Sequence, residues 1–170
     1  RKIWSDLLQN RYGVTDPAKL RLRIHVVTAG SSMTYQEPLN NIVRGTVMAL
    51  AAVLGGTQSL GVSGYDEAMS IPSDHAHLMS IRIQQILQEE TNLEAVADPL
   101  GGSYFLENLT EELETRALDF LAEIEGRGGF VSTIEDGWLM DQANDAQMKA
   151  FAQIETGEKG IVGVNSHLVS

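Results

Sequence analysis

Apolar and polar positions along this chain fall into alternating short-period and helical-period segments. Residues 22–28 read Leu-Arg-Ile-His-Val-Val-Thr, β-branched and partly alternating, before an Ala-Gly-Ser-Ser breaker at 29–32, the pattern of a strand ending in a polar loop. Pro38 stands where a first helical turn tolerates proline. Leu39, Ile42, Val43, Val47, Leu50 and Leu54 then recur at three- and four-residue spacing until Gly55-Gly56, which predicts an amphipathic helix with both ends signalled. Residues 57–63 alternate at period two, placing Thr57, Ser59, Gly61 and Ser63 on one face of a second strand. Ser73 is a good N-cap for a helix running to about Glu90.

Further along, residues 93–97 predict a short strand and Asp98-Pro99-Leu100-Gly101-Gly102 a loop. Ser103 opens a long helix with an apolar stripe from Leu106 to Ile124, residues 139–155 form another, and residues 161–164 read as a last strand. The expected order is β-α-β-α-β-α-α-β. Strands alternating with helices at this spacing argue for a parallel sheet in an α/β protein. Pattern alone leaves two architectures open, part of a doubly wound sheet or roughly half of an eight-stranded barrel.

The length of 170 residues suits one compact unit by default. A start on Arg1 and a finish on a short apolar run suggest a segment of something longer. The net charge of −11 repels phosphate backbones and anionic surfaces, and no basic patch offsets it, so neither a nucleic acid nor a membrane is an expected partner. The absence of cysteine excludes disulfides, thiolate metal sites and a thiol nucleophile. It fits a reducing compartment, and the expected location is the cytoplasm, or the mitochondrial matrix in a eukaryote. The longest strongly apolar run, residues 47–54, is far shorter than the ~20 residues of a membrane span.

Few residues carry chemistry by pattern. His75-Ala76-His77 lies on a predicted helix, where residues two apart diverge and do not share one ion, so no metal site is expected. The Gly101-Gly102-Ser103 turn precedes a helix and reads as a plain connection. His25 differs, because it falls within an apolar strand toward the C-terminal end, where α/β barrels assemble their sites; a satisfied core histidine is the competing reading. Glu67 follows the second strand at that same end, although a helix N-terminal charge fits it equally. The small, polar face of Thr57, Ser59, Gly61 and Ser63 is unlike the bulky layers of a packed barrel interior; turned inward, it would leave room for a chain-like ligand.

Several motifs, in order, resemble the methylmalonyl-CoA mutase family: Asn40-Asn41-Ile42-Val43-Arg44, Gly55-Gly56-Thr57-Gln58-Ser59-Leu60, Asp66-Glu67-Ala68, Ala97-Asp98-Pro99-Leu100-Gly101-Gly102-Ser103-Tyr104 and Ile161-Val162-Gly163-Val164-Asn165. The resemblance covers about 20–165. It implies an isomerase, an intramolecular transferase performing an adenosylcobalamin-dependent radical rearrangement of a branched acyl-CoA, and makes residues 1–170 the C-terminal part of a (β/α)8 TIM barrel with no cobalamin-binding domain. By the same resemblance His25 is the catalytic-site candidate. Glu67 and Ser63 are cofactor-binding candidates, Glu67 receiving the adenosyl ribose hydroxyls, while Thr57, Gln58 and Ser59 line a channel for the CoA tail.

The implied partners are the acyl-CoA substrate, a cobalamin-binding domain or small subunit that ligates cobalt, and further subunits of an oligomer. Three positions depart from the family pattern: Val27 stands for a usual glutamine, Gly61 for a histidine and Ser63 for an asparagine. They change the polarity around cofactor and substrate and leave the acyl substrate open, while the Ala29-Gly30-Ser31-Ser32 loop points toward the broader group that includes isobutyryl- and hydroxyisobutyryl-CoA mutases. The same losses admit a second reading, a non-catalytic structural partner subunit of such a mutase.

Overall fold

In a computed structural model, which describes residues 1–169, the chain is an α/β protein made of two compact units. The first unit runs from Arg1 to Ser103 and the second begins at Tyr104, in place of the one unit that length suggests by default.

The first unit opens with helices α1 (Lys2–Tyr12) and α2 (Pro17–Leu20), neither anticipated from the pattern, although Ile3, Trp4, Leu7 and Leu8 carry a helical spacing. Strand β1 (His25–Val27) leads through a short 3-10 turn at Gly30–Ser32 to helix α3 (Asn40–Leu54), which returns the chain to strand β2 (Ser59–Gly61). Helix α4 (Asp74–Glu90) follows. The two strands pair in parallel, His25 opposite Ser59, Val26 opposite Leu60 and Val27 opposite Gly61. Both are shorter than expected. Before His25 the ladder is replaced by a side chain, since the Ile24 N–H donates to Gln58 Oε1 at 3.0 Å. His25 therefore opens β1 and does not sit at its C-terminal end.

Helix α3 packs against helix α4 by an unexpected face. Its buried positions are Asn41, Gly45 and Ala49, a stripe of small residues every four positions, whereas Leu39, Val43 and Val47 are 65%, 64% and 60% exposed. The large apolar side chains that announced the helix thus form an open ridge, and only Ile42 and Leu50 of that stripe reach the core of Ala49, Ile83 and Leu87. Glycine inside a helix costs roughly 0.5–1 kcal/mol, and at Gly45 it permits close approach: an added Cβ would lie 3.4 Å from Val62 Cγ1 and 3.7 Å from Ile83 Cδ1.

Helix α4 starts as the sequence signals, with the Ser73 hydroxyl accepting from the Ala76 N–H at 3.2 Å. The strand expected at 93–97 is instead a 3-10 turn, Leu93–Ala95, entered through Asn92 in a left-handed conformation at φ 56°. Its Leu93 packs against the α3–α4 core, an apolar contact that the alternation mimics.

The second unit contains helix α5 (Tyr104–Gly126), the unanticipated α6 (Phe130–Glu135) and α7 (Trp138–Glu155). Phe120 stacks on Trp138 with centroids 5.7 Å apart, and the Arg127 guanidinium lies 4.2 Å from the Trp138 ring centroid. The strand expected at 161–164 is a turn: the Ile161 carbonyl accepts from the N–H groups of Val164, Asn165 and Ser166, leaving one isolated bridge between Val162 and Ser166.

Candidate functional site

The chemistry-bearing residues of the first unit gather on the exposed face of the β1–β2 ladder and in the two loops that leave it. His25 and Ser59 are cross-strand partners and both are exposed. The histidine Nδ1 and the serine Oγ are 2.8 Å apart, a hydrogen bond that orients the ring and leaves Nε2 on the side of Gly61. Two residues on, Val27 pairs with Gly61, and a Cβ built at Gly61 would lie 3.5 Å from both His25 Nε2 and Val27 Cγ2. The departures at Val27 and Gly61 are therefore neighbours, and together they make a small apolar notch beside the imidazole.

Where β1 and β2 end, the chain locks its own loops. The Thr28 N–H donates to the Gly61 carbonyl at 3.0 Å. The Ser63 N–H donates to Thr28 Oγ1 at 2.9 Å and the Ser63 hydroxyl to the Thr28 carbonyl at 3.0 Å. Ser63 thus acts in the structure as a clasp between strand ends. Glu67, four residues later, is exposed, and its side chain lies over the Gly30 turn: an added Cβ at Gly30 would come within 3.2 Å of Glu67 Cγ and 3.3 Å of Oε1. Glycine at 30 gives the carboxylate its room.

The remaining channel candidates are occupied locally. Thr57 Oγ1 donates to the Ser59 carbonyl at 2.9 Å, and Gln58 serves the Ile24 amide. Ser59 is the member of the expected small-residue face that meets His25.

Two residues that the pattern did not single out for function hold this arrangement. Asn41, 1% exposed, donates from Nδ2 to the carbonyls of Thr34 and Tyr65, each at 2.8 Å, and accepts at Oδ1 from the Thr34 N–H and from Arg44. Asp66 is buried, with Oδ2 accepting from the Ser73 N–H at 2.9 Å; among the described residues its Oδ1 has no partner. The Ser73 amide, foremost, holds the Asp66 carboxyl below its ordinary range, against burial, which pushes it up. Both lie inside recognisable motifs, Asn40-Asn41 and Asp66-Glu67, yet a buried polar side chain carries no periodic signal.

His75 Nδ1 lies 3.2 Å from the Tyr65 hydroxyl, and among the described residues no cluster of three metal-ligating side chains occurs. Among those residues, too, no helix is long and apolar enough to cross a membrane. Glu112 pairs with Arg116 one turn on within α5, and Glu123 with Arg127 just past its end, both exposed to solvent.

An exposed carboxylate thus lies over the glycine turn after β1, and an oriented imidazole opens the same strand of the parallel ladder. The methylmalonyl-CoA mutase family model matches residues 1–170, and the chain belongs to that family. It is 42% identical over 165 residues to the 2-hydroxyisobutanoyl-CoA mutase large subunit of Aquincola tertiaricarbonis, covering 97% of this chain and 29% of that protein. It is 40% identical over 167 residues to the methylmalonyl-CoA mutase of Escherichia coli (strain K12), covering 98% and 23%, and 38% identical over 167 residues to the mitochondrial methylmalonyl-CoA mutase of Bos taurus, covering 98% and 22%. The chain thus spans less than a third of the length of these relatives, and the family match extends beyond the 20–165 segment that carries the motifs.

The donor set suits one part of adenosylcobalamin. A carboxylate with two acceptor oxygens fits the paired hydroxyls of a ribose, and Glu67 is exposed and given space by Gly30.

Proposed function

We propose that this chain is part of the (β/α)8 catalytic barrel of an acyl-CoA mutase that rearranges a branched acyl-CoA with adenosylcobalamin. The observation that carries the reading is the juxtaposition of the His25–Ser59 pair and the Glu67–Gly30 contact on one parallel β-α-β unit. A barrel accounts for two other features. Parallel ladders occur with further strands and covered faces, and here the ladder has two strands. The α3 ridge of Leu39, Val43 and Val47 is an apolar surface suited to burial by neighbouring elements.

In this reading residues 1–170 are barrel alone, and a cobalamin-binding domain or small subunit supplies the cobalt ligand within an oligomer. Its place is the cytoplasm, or the mitochondrial matrix in a eukaryote. When bound, adenosylcobalamin supplies the radical chemistry. Glu67, with Ser63 at the base of its loop, holds the adenosyl ribose; Thr57, Gln58 and Ser59 border the CoA tail. His25, oriented through Nδ1, presents Nε2 to the acyl group and keeps its polar end positioned. The Val27–Gly61 notch receives an apolar branch, which favours an isobutyryl- or hydroxyisobutyryl-type acyl group over one with a second carboxylate.

The reading is tested with the full-length chain and its cobalamin-binding partner. Isomerisation of 2-hydroxyisobutyryl-CoA that requires adenosylcobalamin is expected, and turnover without the cofactor overturns the proposal. Glu67→Ala should raise KM for adenosylcobalamin at least about tenfold, the loss expected from the lower end of the roughly 1.5–3 kcal/mol of a charge-assisted hydrogen bond. The apolar Val27–Gly61 pair favours a second reading, a structural partner subunit, which predicts that the complete chain binds neither CoA nor cobalamin.

A further inference from the structure

From the buried amide of Asn41, we infer that this residue is a positioning residue for Glu67, setting the distance between the loop after β1 and the loop after β2. The inference rests on the reading of Glu67 as the ribose carboxylate only for its functional consequence; its structural content stands on the bonds themselves.

Asn41 lies in the first turn of α3, between the two loops. Its amide takes both backbone groups of Thr34, the N–H at Oδ1 (3.0 Å) and the carbonyl from Nδ2 (2.8 Å), as a neighbouring strand would. The second Nδ2 hydrogen goes to the Tyr65 carbonyl at 2.8 Å. Thr34 lies four residues beyond Gly30 and Tyr65 two residues before Glu67. One side chain thus pins both loops close to the place where Glu67 meets the Gly30 turn.

The arrangement is fully satisfied. Arg44 Nη1 donates to Asn41 Oδ1 and to Thr34 Oγ1, each at 2.8 Å, and the Thr34 hydroxyl donates to the Gln36 carbonyl at 2.8 Å. A side chain 1% exposed with both donors and its acceptor used is held in one orientation, because any rotation leaves a buried group unpaired. Aspartate has the same shape and no N–H, so Asn41→Asp keeps the volume and removes both bonds to the carbonyls of Thr34 and Tyr65.

The experiment compares full-length wild type, Asn41→Asp and Asn41→Ser by hydrogen exchange, with adenosylcobalamin kinetics alongside. In both variants amides in residues 29–36 and 63–70 should exchange roughly tenfold faster, while those of α3 after its first turn and of α4 change less than about twofold. KM for adenosylcobalamin should rise about tenfold in the Glu67 enzyme and not at all on a Glu67→Ala background, because Asn41 acts through Glu67. Unchanged exchange in residues 63–70 overturns the inference. So does loss of protection throughout α3 and α4, which assigns the amide to the fold as a whole. If Glu67→Ala alone leaves KM unchanged, the ribose reading falls, and the exchange result still decides the role of Asn41.

Discussion

His25 Nδ1 and Ser59 Oγ stand 2.8 Å apart across the first rung of the β1–β2 ladder. Because both side chains are exposed, the bond orients the imidazole more than it stabilises the fold. Ser59→Ala should leave the protection of the ladder amides within about twofold of wild type and lower kcat of the full-length enzyme about fivefold, the equivalent of one neutral hydrogen bond of ~1 kcal/mol. Steady-state kinetics check this, and an unchanged kcat would separate Ser59 from the histidine's function.

The notch beside the imidazole invites the opposite manipulation. A Cβ at Gly61 meets His25 Nε2 and Val27 Cγ2 at 3.5 Å, ordinary contact, and Gly61 is not among the residues with positive φ. Gly61→Ala should therefore strengthen the ladder by about 0.4–1 kcal/mol through the unfolded state, seen as slower exchange of the Thr28 amide that donates to Gly61. It should also raise KM for a branched acyl-CoA, since the methyl group fills the space allotted to the branch. An unchanged KM would move the acyl branch elsewhere.

Gly64 sits in the reverse situation. Its added Cβ would fall 2.8 Å from Asp66 Oδ1, 3.2 Å from Pro72 Cβ and 3.3 Å from Ala76 Cβ, and the Asp66 carboxylate is buried and held by Ser73. Gly64→Ala should destabilise the first unit by about 2 kcal/mol through overpacking. The loss should be concentrated at the Asp66–Ser73 bond and hence at the first turn of α4, where amide exchange reads it.

Acid should act at the same place. The Asp66 carboxyl is lowered in the folded chain, so between the folded and unfolded values the unfolded state binds more protons, and stability rises with pH. Its contribution is present above the ordinary value of 3.8 and is lost as pH falls through the lowered folded value. Asp66→Asn should flatten the pH dependence of α4 N-terminal protection below about pH 4 and weaken that protection at neutral pH, where one charge-assisted bond to Ser73 is lost.

Much of this arrangement was legible from the chain. The Ser73 cap, the Gly55-Gly56 stop and the long α5 stripe are local signals, and they agree with the structure because local hydrogen bonding decides them. The orientation of α3 was not legible. Its large residues pointed to one face, while Gly45 and Ala49 make the close contact with Ile83 of α4 and, at Gly45, with Val62 after β2, since close approach rewards small side chains that a hydrophobicity pattern ignores. Residues 93–97 and 161–164 have the composition of strands, but Leu93 goes to the core and the Ile161 carbonyl is taken by a turn, so neither segment pairs as a regular strand. In the site, His25, Ser59 and Glu67 were visible as residue types in family motifs. Asn41 and Asp66 were not, because their role lies in buried bonds to backbone groups 24 and seven residues away.

The two-stranded ladder has a further consequence for how the protein is handled. Each outer margin of β1 and β2 carries backbone groups that no other described strand satisfies, and such margins accept any extended chain that reaches them. Synthesis of this segment by itself would offer those margins to other copies, with the bare α3 ridge alongside as adhesive. Pairing of those margins with another copy would lead toward self-association rather than toward the folded unit.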